Sequence, residues 1–480
     1  MNKKRLLALL LTLAMAFSLA ACGGGGQGSA TPTPAPQTQA PQGGGEATPA
    51  PSNDKADEIT LWTYPIGNWG NEAAVKTLTD AFTAETGISV TVEYLAYADG
   101  DDKVNSALTA NSAPDLIMEG PERLVANWGV GGHMVDLSDM LDDTDRSEIN
   151  SAVMSACTAP DGSVYEYPLV MTAHCMAVNL EAFKEAGASK FLDLENHTWT
   201  TEDFLSAVEA LYNHYGETVG AVYCVGQGGD QGTRALVNNL YGGTFTNAEH
   251  TEYTWDDPKN IQALEKLYEI EGITFDASIA GGDEIALFYQ GVLKMAFCWN
   301  IAQQLNPNSG NTGAGKTVTG DEIVFMGFPS ESGEPQLQGG IWGFGIFDNG
   351  DAGRIAAAKE FIKYMADSEH TVEAVKTANY FSVRSAAEGT DLSSIWVYDE
   401  NDPALAGMSD EERLAEQEKC QIMDEYTKLM PYLGDYYQVT SGWAQARTSW
   451  WNMLQRVGAG DSITDSVATF AAEANAAAAG

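Results

Sequence analysis

Strand and helix patterns alternate from residue 58 onward, and that alternation restricts the fold more than any other feature of the chain. EITLWTY at 58–64 reads as a strand rich in aliphatic and aromatic residues. A helix is predicted from about Asn71, with Val75, Leu78 and Phe82 on one face and Gly87 as its stop. ISVTVEYLAY (88–97) predicts a second strand, 101–111 a helix, and PDLIM (114–118) a third strand. Such alternation implies a parallel sheet covered by helices on both faces. Further on, Thr200 is placed to cap a helix whose core face is Phe204, Val208, Leu211 and Tyr212, with Asp203 completing a capping box. AAAKEFIKYMAD (356–367) is another amphipathic helix. The folded part runs to about 420 residues, more than one core usually supports, so two domains are expected.

The N-terminus differs in kind. Lys3, Lys4 and Arg5 precede an apolar run from Leu6 to Phe17, followed by the small-residue site Leu19-Ala20-Ala21. This is the layout of a secretory signal over 1–21, and the run is shorter than the roughly 20 residues of a membrane span. Leu19-Ala20-Ala21-Cys22 resembles the lipobox of bacterial lipoproteins, which implies lipid on Cys22 and attachment to the membrane through it. Residues 22–57 are Gly-, Thr- and Pro-rich with almost no large apolar side chains, the composition of a disordered tether.

The chain carries 25 Lys and Arg against 67 Asp and Glu, a net charge of -42. Nucleic-acid phosphates attract basic patches, so nucleic acid is excluded as a partner, and anionic headgroups would repel this surface. The charge serves solubility instead. With Cys22 acylated, Cys157, Cys175, Cys224, Cys298 and Cys420 remain, without a C-x-x-C spacing. They read as small buried apolar residues, one disulfide being the alternative.

The ordered segments EITLWTY, FTAETGISVTVEY, ALTANSAPDLI, GHMVDLSDML, DGSVYEYPLVMTAHCMAVNLEAFKEAG, HTWTTEDFLSAV, FYQGVLKMAFCW, MGFPSESG, GGIWGFGIF and AAKEFIKYMAD resemble the extracellular solute-binding proteins of sugar ABC transporters, over roughly 58–480. The resemblance implies an α/β fold of two periplasmic-binding-protein-like lobes with a ligand cleft between them. Chain crossings are expected near Pro168 to Ala173, Gly339 to Gly345 and Asn379 to Arg384. Lobe one would hold 58–169 and 339–378, and lobe two 170–338 and 379–480. It further implies a monomer that closes by hinge motion, takes a carbohydrate ligand, needs no cofactor, and hands its cargo to ABC permease subunits in the membrane.

Sugars present apolar C–H faces and rings of hydroxyls, so their sites need flat aromatic surfaces and planar polar groups in a concavity. The resemblance places Tyr64 and Trp69 after the first strand, Glu119 at the end of the third, and Thr172 at the first crossing. Maltose-binding protein has a carboxylate where Thr172 stands. Trp299 in AFCWN, Gly340 and Trp342 at the second crossing, Arg384 after the third, and Trp443 in SGWAQARTSWW complete the main candidates. Gln227 and Asp230, in a Gly-rich loop, could reach hydroxyls, whereas Trp450 and Trp451 are expected to pack their helix.

The chief alternative from another class is a lipid-anchored glycoside hydrolase, which needs two carboxylates flanking one bond. Among 67 acidic residues such a pair carries no weight in sequence. A binding protein for a peptide, polyamine or anion is a further alternative. Neither G-x-S-x-G nor H-E-x-x-H occurs, and the six His are scattered, so no metal is expected. Asp143-Thr144-Asp145-Arg146-Ser147 echoes a calcium loop without its Gly and reads as a turn capping a helix. GNTGAGKT (310–317) fits the phosphate-loop pattern at every fixed position. Polar residues and Pro307 precede it and a strand pattern follows, so a surface loop is expected rather than a nucleotide site.

Overall fold

The computed structural model describes residues 55–226, 229–305, 314–402 and 405–479. The signal segment, Cys22, nearly all of the tether and Gln227 lie outside the described residues. Between Lys55 and the first crossing the chain forms β1 (Glu58–Thr63), α1 (Glu72–Thr86), β2 (Ser89–Tyr94), α2 (Gly100–Thr109), β3 (Leu116–Glu119) and β4 (Tyr167–Ala173). There follow β5 (Cys175–Asn179), α3 (Thr201–Tyr215), β6 (Gly220–Val225), α4 (Gln231–Tyr241), α5 (Pro258–Glu269), β7 (Ile273–Ala280), α6 (Gly281–Tyr289), β8 (Met295–Trp299) and β9 (Ile323–Met326). The chain then returns through β10 (Gly339–Ile346), α7 (Ala352–Ala366), α8 (Thr371–Ala378) and β11 (Phe381–Ser382). It ends in α9 (Asp410–Tyr426), α10 (Trp443–Gly458) and α11 (Ile463–Ala478).

Local chemistry accounts for the ends of these elements. The Asn71 side chain accepts from the backbone N–H groups of Ala73 and Ala74, and Gly87 stops α1 at φ 80°, a left-handed conformation that costs glycine little. Thr200 and Asp203 form the expected reciprocal capping box on α3. Val75, Leu78 and Phe82 are buried, and Phe82 meets Phe361 of α7 edge-on, fixing two helices to one face of the first sheet.

That sheet has the order β11-β4-β10-β3-β1-β2 and centres the first lobe. In β1, Ile59, Leu61 and Thr63 alternate inward while β2 stays half-exposed at the edge. β10, between β3 and β4, is buried at every position. The sheet is mixed rather than parallel. β1 runs parallel to β2 and β3, but β10 is antiparallel to both β3 and β4. The reason is that the chain re-enters this sheet from the second lobe instead of through a covering helix.

The second lobe holds the antiparallel set β8-β5-β9 and the parallel pair β6-β7. Its core is aromatic: Phe245, Trp255, Trp450 and Phe470 stack edge-to-face, and Tyr437 lies flat on Phe245 at 4.8 Å. The chain changes sheets at His174, the single residue between β4 and β5.

The described cysteines are unpaired, four of them buried and Cys298 half-buried, as small apolar residues would be. The stretch read as a capping turn is itself a short helix, Asp143–Glu148, capped by Asp142 in a box with Asp145. Of GNTGAGKT, Ala314 to Thr317 are described. Lys316 and Glu322 form an isolated antiparallel backbone bridge, Thr317 N–H donates to the Asp321 carbonyl, and the described part of the segment leads into β9 rather than a helix. Among the described residues no helix is long and apolar enough to cross a membrane.

Candidate functional site

The ends of β3, β8 and β10 and the start of α10 converge on a cavity of about 360 Å³ between the lobes. From the first lobe come Pro65, Tyr97, Glu119, Glu122 and Arg123, and from the second Gln231, Trp299, Asn300, Gln303 and Arg447. His174, Trp342 and Tyr380 line it where the chain crosses between lobes. Trp342 lies flat on Tyr380, ring centres 4.7 Å apart, and His174 meets its edge. Trp299 is held by its indole N–H donating to Gln304 Oε1 at 3.0 Å.

Glu119 and Arg123 stand four residues apart on the turn that leaves β3. Arg123 donates to Glu119 at 2.7 Å and to Asp101 at 2.6 Å, with Glu122 at 3.4 Å. Three carboxylates thus surround one guanidinium. Burial pushes the Glu119 carboxyl up to about 8; Arg123 opposes this, and Glu122 and Asp101 add to it. Burial pushes His174 down to about 4, so its ring is neutral and its Nε2 has no hydrogen-bond partner among the described residues. On the other wall, Arg447 Nε donates to Asp230 at 2.9 Å. Asp230 is fully buried and also pairs with Arg234, whose guanidinium lies 4.6 Å from the Trp443 ring centre.

A second cavity of about 180 Å³ adjoins the first, lined among others by Asp101, Asn127, Trp443 and Trp451. Glu122, Gly226, Arg123 and Arg447 face both cavities. A wider hollow of about 730 Å³ on the outer face of α3 and α5 is ringed by exposed glutamates, 202, 209, 269, 271 and 331. It lacks the buried, converging polar groups of a ligand site, so the smaller inter-lobe cavity is the candidate.

The structure distributes the sequence candidates unevenly. Glu119, Trp299 and Trp342 line the main cavity and Trp443 the adjoining one. Tyr64 stands behind the wall: it stacks on Tyr97 at 5.0 Å and donates to Asp101 at 2.6 Å. Asp230 is likewise behind, holding Arg447. Thr172 is buried in β4, its hydroxyl directed to the Ala173 carbonyl at 3.4 Å. Gly340 leaves room for a ring, since a Cβ there would lie 2.2 Å from the Trp342 indole.

Trp69 and Arg384 are corrections. Trp69 is fully buried in the first lobe, edge-on to Phe344 and donating to the Ala374 carbonyl at 3.2 Å. Arg384 points away from the cavity and binds Asp145, Glu148 and Asp367, each at 2.8 Å. Gln227 is outside the described residues. Trp450 packs the core as expected, while Trp451 also faces the adjoining cavity. Sequence reasoning missed Arg123, His174, Tyr380 and Arg447. Two signals were present: Arg123 stands at i+4 from Glu119, and Arg447 at i+4 from Trp443.

Two mixed α/β lobes closing on a cavity lined by aromatic rings and buried ion pairs define a ligand-binding protein. Residues 77–406 match the family of bacterial extracellular solute-binding proteins, and the chain belongs to that family. It is a family of binding proteins, not of enzymes, which sets the hydrolase alternative aside. The chain is 28% identical over 202 residues to the maltooligosaccharide ABC transporter solute-binding lipoprotein of Streptococcus pneumoniae. That match covers 39% of this chain and 45% of the relative, so it spans less than half the length of the curated protein. Among solved structures, an ABC transporter solute-binding protein from Thermotoga lettingae TMO bound with alpha-D-tagatose shares the fold at a TM-score of 0.65 and 16% identity, over 88% of this chain and 100% of that one. An oligosaccharide periplasmic-binding protein from Synechococcus sp. MITs9220, described as putative, aligns at a TM-score of 0.68 and 16% identity, over 88% and 99%.

Proposed function

We propose that this protein captures a carbohydrate by closing its lobes and delivers it to an ABC importer, held at the outer face of the bacterial cytoplasmic membrane by lipid on Cys22. The observation that carries this reading is that Trp299, Trp342 and Tyr380 share one inter-lobe cavity with Glu119, Gln231, Asn300 and Arg447. Flat rings suit the apolar face of a sugar, and planar amides, carboxylates and guanidinium suit its paired hydroxyls. The solved relative bound with tagatose and the lipoprotein named for maltooligosaccharide transport point the same way.

Closure would join a first lobe of 58–169 with 339–378 to a second of 170–338 with 379–480, with the end of β4 and β11 continuing the first lobe's sheet past those bounds where the chain crosses. The closed form would then dock on permease subunits.

Melting curves of the full chain against sugars, peptides and polyamines test this. At a hundredfold excess over Kd, ligand stabilisation of about 2.7 kcal/mol is expected for at least one sugar, with a change in tryptophan emission. A shift with peptides or polyamines and none with sugars overturns the sugar assignment. Labelling of Cys22 by fatty acid in cells tests the anchor, and loss of labelling in Cys22→Ala is expected.

A further inference from the structure

The inter-lobe cleft is divided by a wall of charged side chains. Glu122, Arg123 and Arg447 separate the main cavity, about 360 Å³, from the adjoining one, about 180 Å³. Each member is pinned by a group from a different part of the chain. Arg123 is held by Asp101 and Glu119, Glu122 by the Tyr436 hydroxyl at 2.6 Å, and Arg447 by Asp230. Hydrogen bonds to charged groups are stronger than those between neutral ones, and displacing this wall breaks several at once.

We infer that the wall sets ligand length: resting on the sugar reading above, the closed protein takes a saccharide of one or two rings and excludes longer chains. At about 30 Å³ per water, the main cavity holds the equivalent of roughly a dozen waters. A hexose has about a dozen non-hydrogen atoms, which covalent bonding draws closer than the same number of waters, so one ring fits with room for at most a second. A third ring on the far side of the wall would have to pass between Arg123 and Arg447 into the side cavity. Arg447 is the determinant most open to change. Its Nε is committed to Asp230, but Asp230 keeps Arg234 as a partner if Arg447 is removed.

The test is calorimetric titration of the full chain with glucose, galactose, mannose and xylose, and with their oligomers of two to six rings. One- or two-ring members are expected to bind, and three-ring members at least about a hundredfold more weakly, as a built-in clash requires. In Arg447→Ala the cavities join and that ratio is expected to fall below about tenfold, because the excluding side chain is gone. Ala444→Trp fills only the exposed mouth of the side cavity and is expected to leave short-sugar affinity unchanged. A wild-type Kd for three or more rings equal to or below that for one or two overturns the length limit and leaves the sugar reading standing. So does weakening of short-sugar binding by Ala444→Trp, a result that does not depend on Arg447→Ala folding. Failure of every saccharide overturns the sugar reading and this inference with it.

Discussion

The Tyr436 hydroxyl donates to Glu122 Oε2 at 2.6 Å, and the two residues belong to opposite lobes. Glu122 sits on the turn after β3, whereas Tyr436 precedes Tyr437, which is embedded in the second lobe's aromatic core against Phe245. The proposed opening of the lobes would break this bond, so it favours closure with or without ligand. Removing it in Tyr436→Phe forfeits a charge-assisted bond of about 1.5–3 kcal/mol, equivalent to about tenfold or more in ligand Kd. Calorimetry and the radius of gyration of the ligand-free chain check this. Unchanged affinity and unchanged compactness together would remove Tyr436 from the closure mechanism.

Arg384 is predicted to act on stability rather than on ligand. Its guanidinium binds three carboxylates from two parts of the first lobe, and β11 beside it pairs with β4, which leads to the crossing at His174. Arg384→Met leaves Asp145 buried with Lys363 as its remaining cation, a loss of about 3–5 kcal/mol by analogy with broken buried pairs. Urea denaturation should show that loss, while ligand affinity measured well below the midpoint stays within about twofold, as for sites without shared partners. A large affinity loss at full folding would return Arg384 to the ligand site.

These two residues also mark how far the sequence could be read. Helix ends were legible because their determinants are local: Asn71 and Gly87 bound α1, and Thr200 with Asp203 starts α3. The strand expected at 88–97 ends at Tyr94, because β1 has no residue left to pair beyond Thr63. Strand direction was not legible, since residue periodicity is the same in β10 whether it runs with β3 or against it. In the site, Trp299 and Trp342 were singled out by family resemblance, and both line the cavity because they end or lie within strands that reach it. Arg384 and Tyr436 exchange the roles their positions imply. One is a charge that looks available but is consumed by Asp145, Glu148 and Asp367, and the other a tyrosine whose partner lies 314 positions away in sequence.

Glu119 should make ligand-free stability depend on pH. Burial raises its carboxyl from 4.5 to about 8 in the folded chain. The proton is therefore bound more tightly in the folded than in the unfolded state. The resulting stabilisation is complete below about 4.5 and is lost as pH rises toward and through about 8. Melting temperature should fall across that window in the wild type and fall less steeply in Glu119→Gln, which keeps an acceptor for Arg123 but cannot ionise. Parallel slopes in the two proteins would show that Glu119 stays ionised throughout.

Trp342 and Trp69 were both read as ligand contacts, and substitution should now separate them. The Trp342 ring lines the main cavity and is oriented by Tyr380 on one face and by the space above Gly340. Trp342→Ala removes a stacking surface and its buried apolar area, so ligand affinity should fall by about tenfold or more. Trp69 touches Phe344 and the Ala374 carbonyl inside the first lobe, with no face on the cavity. Trp69→Phe should lower stability by about 1–3 kcal/mol through lost packing and the lost indole hydrogen bond to the Ala374 carbonyl, with ligand affinity unchanged. The fluorescence change on ligand addition should survive in Trp69→Phe and shrink in Trp342→Ala. The reverse pattern would mean that the sugar is bound on the first lobe's side of β10, and that the cavity beside Trp342 is not where the ligand sits.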